Sequence, residues 1–260
     1  MRFKLTLAII ASFVASPAFA ADRPARGVYA GIFGGGGFGS EIDITQLGTV
    51  FITEAAGGPL AVNATGQTDS GGVGFVGGQV GYELSSSPSL VRPAFEIEGF
   101  YLDTGTRNAT LENPSARLPE HTFDNTLPMH SAVILANMVL SFPTAYPGVT
   151  PYVGGGIGGA LVSVDGAKSL QTDPSEGDIN HFTNTDSSAW TFAAQLKAGI
   201  RFAIGSNAYL FGEYRYLYVG SADQTFGPTN SPTHASTSAW TVRLDDASYH
   251  LATAGIGFDF

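Results

Sequence analysis

The sequence predicts an all-β fold: a closed, antiparallel, up-and-down transmembrane β-barrel of about eight strands. Three observations carry this. Apolar residues rich in Val, Ile, Phe and Tyr recur with period two along the chain, the signature of strands with unlike faces. The gaps between those segments alternate strictly between short and long, as in a barrel whose turns lie on one side of a membrane and whose loops lie on the other. Charged residues are only 13% of the 260, while glycine is abundant at 34, which suits a chain whose water-exposed part is limited.

The N-terminus reads as an export signal. Arg2 and Lys4 give a positive start, Leu5 to Val14 an apolar stretch, and Ala18-Phe19-Ala20 a small-x-small cleavage site. The apolar stretch is too short to span a bilayer. Residues 1–20 are therefore expected to be removed, leaving a domain over 21–260 with 10 Lys and Arg against 22 Asp and Glu. Phosphate backbones are bound by excess cation, so so acidic a chain is a poor nucleic-acid binder. The absence of cysteine excludes disulfides, thiolate metal sites and a thiol nucleophile.

Eight strands are expected at about 27–39, 72–84, 91–104, 129–142, 149–164, 187–204, 207–220 and 246–260. Each exceeds the roughly 9–11 residues that a tilted strand needs to cross a bilayer. Short turns fall at Ser85–Leu90, Pro143–Gly148 and Gly205-Ser206. Long polar loops fall at about 40–71, 105–128, 165–186 and 221–245. The β-like stretch Glu41–Phe51 inside the first loop leaves ten strands as an alternative count.

The strand over 187–204 has the clearest register. Trp190, Phe192, Ala194, Leu196, Ala198, Ile200 and Phe202 share one face; Gln195, Lys197 and Arg201 share the other. Period two then puts Glu96 and Glu98 opposite Phe95, Ile97 and Tyr101. It puts Glu213 and Arg215 opposite Leu210, Tyr214, Tyr216 and Tyr218, and Gln79 and Glu83 opposite Val76, Val80 and Tyr82. Collected, the inward charges are Glu83, Glu96, Glu98, Lys197, Arg201, Glu213 and Arg215. Charges of both signs in a narrow lumen are expected to pair into a plug. The outward Tyr101, Trp190, Phe202, Tyr214, Tyr216, Tyr218 and Phe258 are expected at the membrane interfaces.

Ile256, Phe258 and Phe260 alternate with Gly255, Gly257 and Asp259. This terminal strand resembles the assembly signal of bacterial outer-membrane proteins, with Phe260 as its terminal aromatic. Together with Val28-Tyr29-Ala30-Gly31 and the Glu96/Glu98 strand, residues 27–260 resemble the small porin-family and OmpA-like barrels of Gram-negative bacteria. The resemblance implies a place in the outer membrane, contact with its lipid and lipopolysaccharide, and assembly machinery that reads the last strand.

Other patterns carry less. Gly154 to Gly159 fit a G-x-G-x-x-G motif, but a nucleotide fingerprint needs a following helix, and none is predicted. No metal is expected from His121, His130, His181, His234 and His250, which lack ligand spacing and read mostly as solvated loop residues. Ser248 and His250 share a strand face, yet nothing in sequence supplies an acidic third member. The expectation is a protein without enzyme activity or cofactor: an anchor whose loops meet extracellular or host ligands. A narrow solute pore and a lipid-modifying hydrolase are the alternatives.

Overall fold

The computed structural model describes residues 27–52, 54, 57–84, 91–113, 121–173, 175, 177–230 and 235–260. The expected export signal lies outside the described residues. No α-helix occurs among them.

Eight long strands form a closed antiparallel ring. They are β1 (Val28–Gly39), β4 (Gly71–Glu83), β5 (Arg92–Glu112), β6 (Thr122–Ser141), β7 (Val149–Val164), β9 (Ser187–Ala203), β10 (Ala208–Val219) and β13 (Ala247–Asp259). Each pairs with the next, and β13 returns to β1. Closure satisfies the backbone of every strand within the sheet, which hydrocarbon demands.

The register fixes the shape. Follow the paired residues once round the ring from Tyr29, through Gly81, Glu96, Asn137, Gly156, Gln195, Leu217 and Tyr249. The path returns to β1 at Gly39, ten residues beyond its start. For eight strands this stagger corresponds to a tilt of roughly 40° and an interior that side chains fill.

The long connections are where structure and sequence reading differ. They are not wholly irregular: they build a second storey on the barrel. β2 (Asp43–Val50) and β3 (Leu60–Thr68) continue β1 and β4; β8 (Lys168–Asp173) continues β7. β11 (Ala222–Phe226) and β12 (Trp240–Leu244) continue β10 and β13, while β5 and β6 run straight through both storeys at 21 and 20 residues. The upper pairs are β11–β12, β12–β2, β2–β3, β3–β5, β5–β6 and β6–β8. The segment 180–185 closes the gap: His181 N donates to Ser169 O, Ala167 N to Thr185 O, and Gly227 N to Asn184 O. The ring order is thus that of the lower barrel. Alternation continues too, with Ile44, Val62, Leu111, Phe123, Phe226, Trp240, Val242 and Leu244 turned inward and buried.

Inside the lower storey, Phe33, Phe75 and Phe100 pack together with centroids 6.0–6.3 Å apart, Phe100 meeting the other two edge to face. Inward glycines seat the largest rings. A Cβ at Gly81 would overlap the ring of Tyr29, and one at Gly257 that of Tyr209. Their missing side chains are volume ceded to a neighbour across the ladder.

Candidate functional site

The polar interior of the lower storey is assembled from most strands of the ring. Lys197, from β9, lies between Glu96 and Glu98 of β5, contacting the first closely and the second at 3.0 Å. Arg215, from β10, reaches Glu98 at 3.0 Å and also pairs with Glu213. Arg201 approaches Glu83 at 3.8 Å and donates to Ser141 Oγ at 3.0 Å. Glu83 has a further neighbour at 3.8 Å in Arg92, half-buried near the turn end of β5. Among the described residues, four carboxylates therefore face four cations.

Neutral groups complete it. Tyr29 donates to Glu96 at 3.0 Å, and Tyr152 to Glu213 at 2.6 Å. Asn137 donates to Glu96 at 3.4 Å; Gln195 donates to Glu98 and to Asn137 Oδ1. The cations also stack. Arg201 lies 4.4 Å from the Tyr152 centroid and 5.3 Å from that of Tyr29. Arg215 lies 4.1 Å from Phe33, directly against the phenylalanine trio. Such stacking keeps guanidinium groups favourable away from water. The seven charged residues singled out from sequence are all buried and meet in this network.

Sequence reasoning places Gln195 on the lumen face without a partner, and it does not single out Arg92, Tyr29, Tyr152, Tyr209, Asn137 or Ser141 for the interior. The signal was parity. Tyr209 shares odd positions with Glu213 and Arg215, so its ring turns inward and is fully buried.

The upper storey has a smaller polar layer. Asn125 Nδ2 donates to Gln46 Oε1 at 2.8 Å, and Gln46 Nε2 donates to Ser169 Oγ at 3.2 Å, tying β6, β2 and β8 across the interior. Thr229 Oγ1 accepts from Trp240 Nε1 at 2.9 Å and lies 3.1 Å from His181 Nδ1. His181 is buried beside Phe123 and Trp240. It is not the solvated loop histidine that sequence suggests, because segment 180–185 is a wall of this storey.

A family model described as the outer membrane protein beta-barrel domain matches residues 6–260. The chain belongs to that family. It is an outer-membrane β-barrel.

Solved structures with the same kind of fold include Neisserial surface protein A, at 17% identity with a TM-score of 0.36, covering 90% of this chain and 97% of that one. The outer-membrane protease OmpT of Escherichia coli is 11% identical with a TM-score of 0.39, covering 88% and 97%. Ail, the attachment invasion locus protein of Yersinia pestis, solved with the heparin analogue sucrose octasulfate, is 12% identical with a TM-score of 0.27, covering 86% and 99%. No curated protein matches the chain.

The turns at 143–148 and 205–206 close one end of the barrel and the second storey stands at the other, while the short turn expected at 85–90 lies outside the described residues. The barrel's outward aromatics fall at two heights. Tyr82, Phe95, Phe202 and Phe258 ring the turn end, while Tyr101, Trp190, Phe192 and Tyr218 lie toward the second storey, and all are exposed or partly exposed. On β9 ten residues separate Phe192 from Phe202. At roughly 2.5 Å of height per tilted residue, that is about 25 Å, the height of the apolar band of such barrels. Tyr214 and Tyr216 lie between these levels on β10. Phe260 is 79% exposed beside β1, to which its amide is bonded through Val28 O.

On this outer wall His250 Nδ1 lies 2.5 Å from Tyr214 Oη, and its ring packs on Tyr216. Ser248 is tied through its backbone to Ser40. The histidine's contact is with a tyrosine of β10, and no hydrogen bond joins it to Ser248 among the described residues.

Proposed function

We propose that this outer-membrane barrel is a closed anchor that carries a rigid extracellular storey, whose outer wall is its interaction surface. The observation that carries the reading is that both storeys are filled: paired charges and phenylalanines occupy the lower one, and an apolar core with a Gln46–Asn125–Ser169 layer occupies the upper one. A filled lumen offers a solute no wet path. What remains accessible is the wall, where Asp43, Glu112, Asp124, Asp165, Asp223 and Asp245 are exposed beside Lys168 and Arg243. Thr65, Thr110 and Thr225 add hydroxyls to the same face. The surface is acidic and polar, so its partners are basic extracellular or host ligands, or lipopolysaccharide reached through divalent cations. The last strand, ending in the exposed Phe260, is what the barrel-assembly machinery would engage.

Two measurements on one protein test this. The refolded mature protein in planar bilayers gives no channel events. Cells displaying it bind an immobilised basic ligand panel, and Asp43→Asn with Asp124→Asn and Asp223→Asn reduces that binding several-fold without altering heat-modifiable gel mobility. Steady conductance that changes with Glu96→Gln would replace the anchor with a pore. Binding untouched by the three substitutions would remove the wall as the interaction surface.

A further inference from the structure

The joint between the storeys holds a cation of a different kind from those below. Arg107, on β5, is 3% exposed. Its Nη1 donates to Asp69 O at 2.8 Å and its Nη2 reaches Gly71 O at 3.5 Å. Asp69 lies between β3 and β4 and Gly71 opens β4, paired with Gly39 of β1, so Arg107 caps the break between the two strands. That role uses the tip of the guanidinium. It leaves Nε, a buried donor, with no partner, and it leaves the charge unanswered: no carboxylate pairs with Arg107 among the described residues.

The surroundings sharpen the anomaly. Gly39 and Gly71 lie against the guanidinium, and the Tyr249 ring reaches the same place beside Gly39. Ile42, Leu127, Val164 and Leu244, also buried near the joint, are apolar. Removing an unpaired ion from water is costly, and a buried guanidinium is normally retained with a counter-charge. An Nε edge with its neighbouring Nη–H is a two-pronged donor that matches a carboxylate or phosphate oxygen pair.

We propose that Arg107 is the receptor of a small oxyanion site inside the barrel, at the level where the lower storey meets the upper. The anion accepts from the Nε edge and neutralises the one inward arginine among the described residues that lacks a carboxylate. Its chemistry is that of a carboxylate or phosphate group.

The test uses the full mature barrel folded in detergent micelles, with chloride replaced by acetate or by inorganic phosphate at constant ionic strength. The expected result is a saturable rise of the thermal unfolding midpoint in the wild type, lost in Arg107→Met and reduced in Arg107→Lys. A larger response to phosphate than to acetate identifies a phosphate-bearing ligand; the reverse identifies a carboxylate. Equal responses in wild type and Arg107→Met, or none to either ion, overturn the proposal. If Arg107→Met does not fold, the wild type alone decides: 13C-labelled acetate should broaden on adding the barrel and sharpen again with phosphate. Failure to broaden overturns the site.

Discussion

Arg215 and Glu98 stand on diametrically opposite strands of the eight-strand ring, yet their side chains meet at 3.0 Å. The pair spans the lumen. Glu98 also holds Lys197 at 3.0 Å, so one carboxylate ties β5 to β9 and β10 at once. Contacts between strands that are not neighbours brace the barrel against flattening, which ladder bonds alone do not do.

Glu98→Gln is therefore expected to destabilise the folded barrel by about 3–5 kcal/mol, because Arg215 and Lys197 lose a shared counter-charge while staying buried. Urea unfolding in lipid vesicles, followed by heat-modifiable gel mobility, measures the shift. Adding Arg215→Met should recover part of the loss, since removing both partners is milder than stranding one. A double variant weaker than the sum of the singles contradicts the pairing.

Two glycines of one strand should respond oppositely to the same change. Gly81→Ala drives a methyl group into the Tyr29 ring and should cost about 1–3 kcal/mol. Gly74, on the outer face of β4, has nothing within 4 Å of where a Cβ would stand. Gly74→Ala should be neutral or slightly stabilising, because glycine weakens a strand interior. Refolding yield and unfolding midpoint, compared side by side, check the contrast.

The second storey is expected to fail separately from the first. Trp240 is 1% exposed, hydrogen-bonded to Thr229, and stacked where a Cβ at Gly48 would collide with it. Trp240→Ala should cost about 3–5 kcal/mol locally. The variant barrel should keep its heat-modifiable mobility while protease added outside cells cleaves the upper strands faster. Unchanged protease resistance would mean that the storey does not depend on this core.

Two tryptophans report on two environments. Trp190 is 66% exposed on the outer wall, and Trp240 is enclosed. Brominated lipids should quench part of the tryptophan emission, and Trp190→Phe should abolish that quenching. Quenching that survives the substitution would place Trp240 against lipid.

Much of the lower barrel was legible because period two is local. Once Trp190 and Phe202 are given to one face, Lys197 and Arg201 must take the other, and the same parity places Glu96, Glu98, Glu213 and Arg215. Partner choice was not legible. That Lys197 lies between Glu96 and Glu98, while Arg201 goes to Glu83 and a cage of tyrosines, depends on a stagger of ten residues round the ring, and no single strand encodes it. Tyr29, Tyr152 and Tyr209 were passed over because a tyrosine near a strand end suits an interface as well as a lumen.

The upper storey was the least legible part. Glu41–Phe51 shows β-like alternation, but β8, β11 and β12 are only five or six residues long, and their Thr, Asp and Gln content reads as loop. They hold as strands because β5 and β6 project beyond the lower barrel and start a series of pairings: β8 on β6, and β3, β2, β12 and β11 in turn from β5. The sequence by itself determined the all-β class, the eight crossing strands, their faces and the alternation of short and long connections, since each follows from residues near one another in the chain. Only the tertiary structure decided that the long connections close into a second ring, which charges meet across the lumen, and that Arg107 meets no carboxylate among the described residues. Those outcomes depend on register and on contacts between residues far apart in sequence.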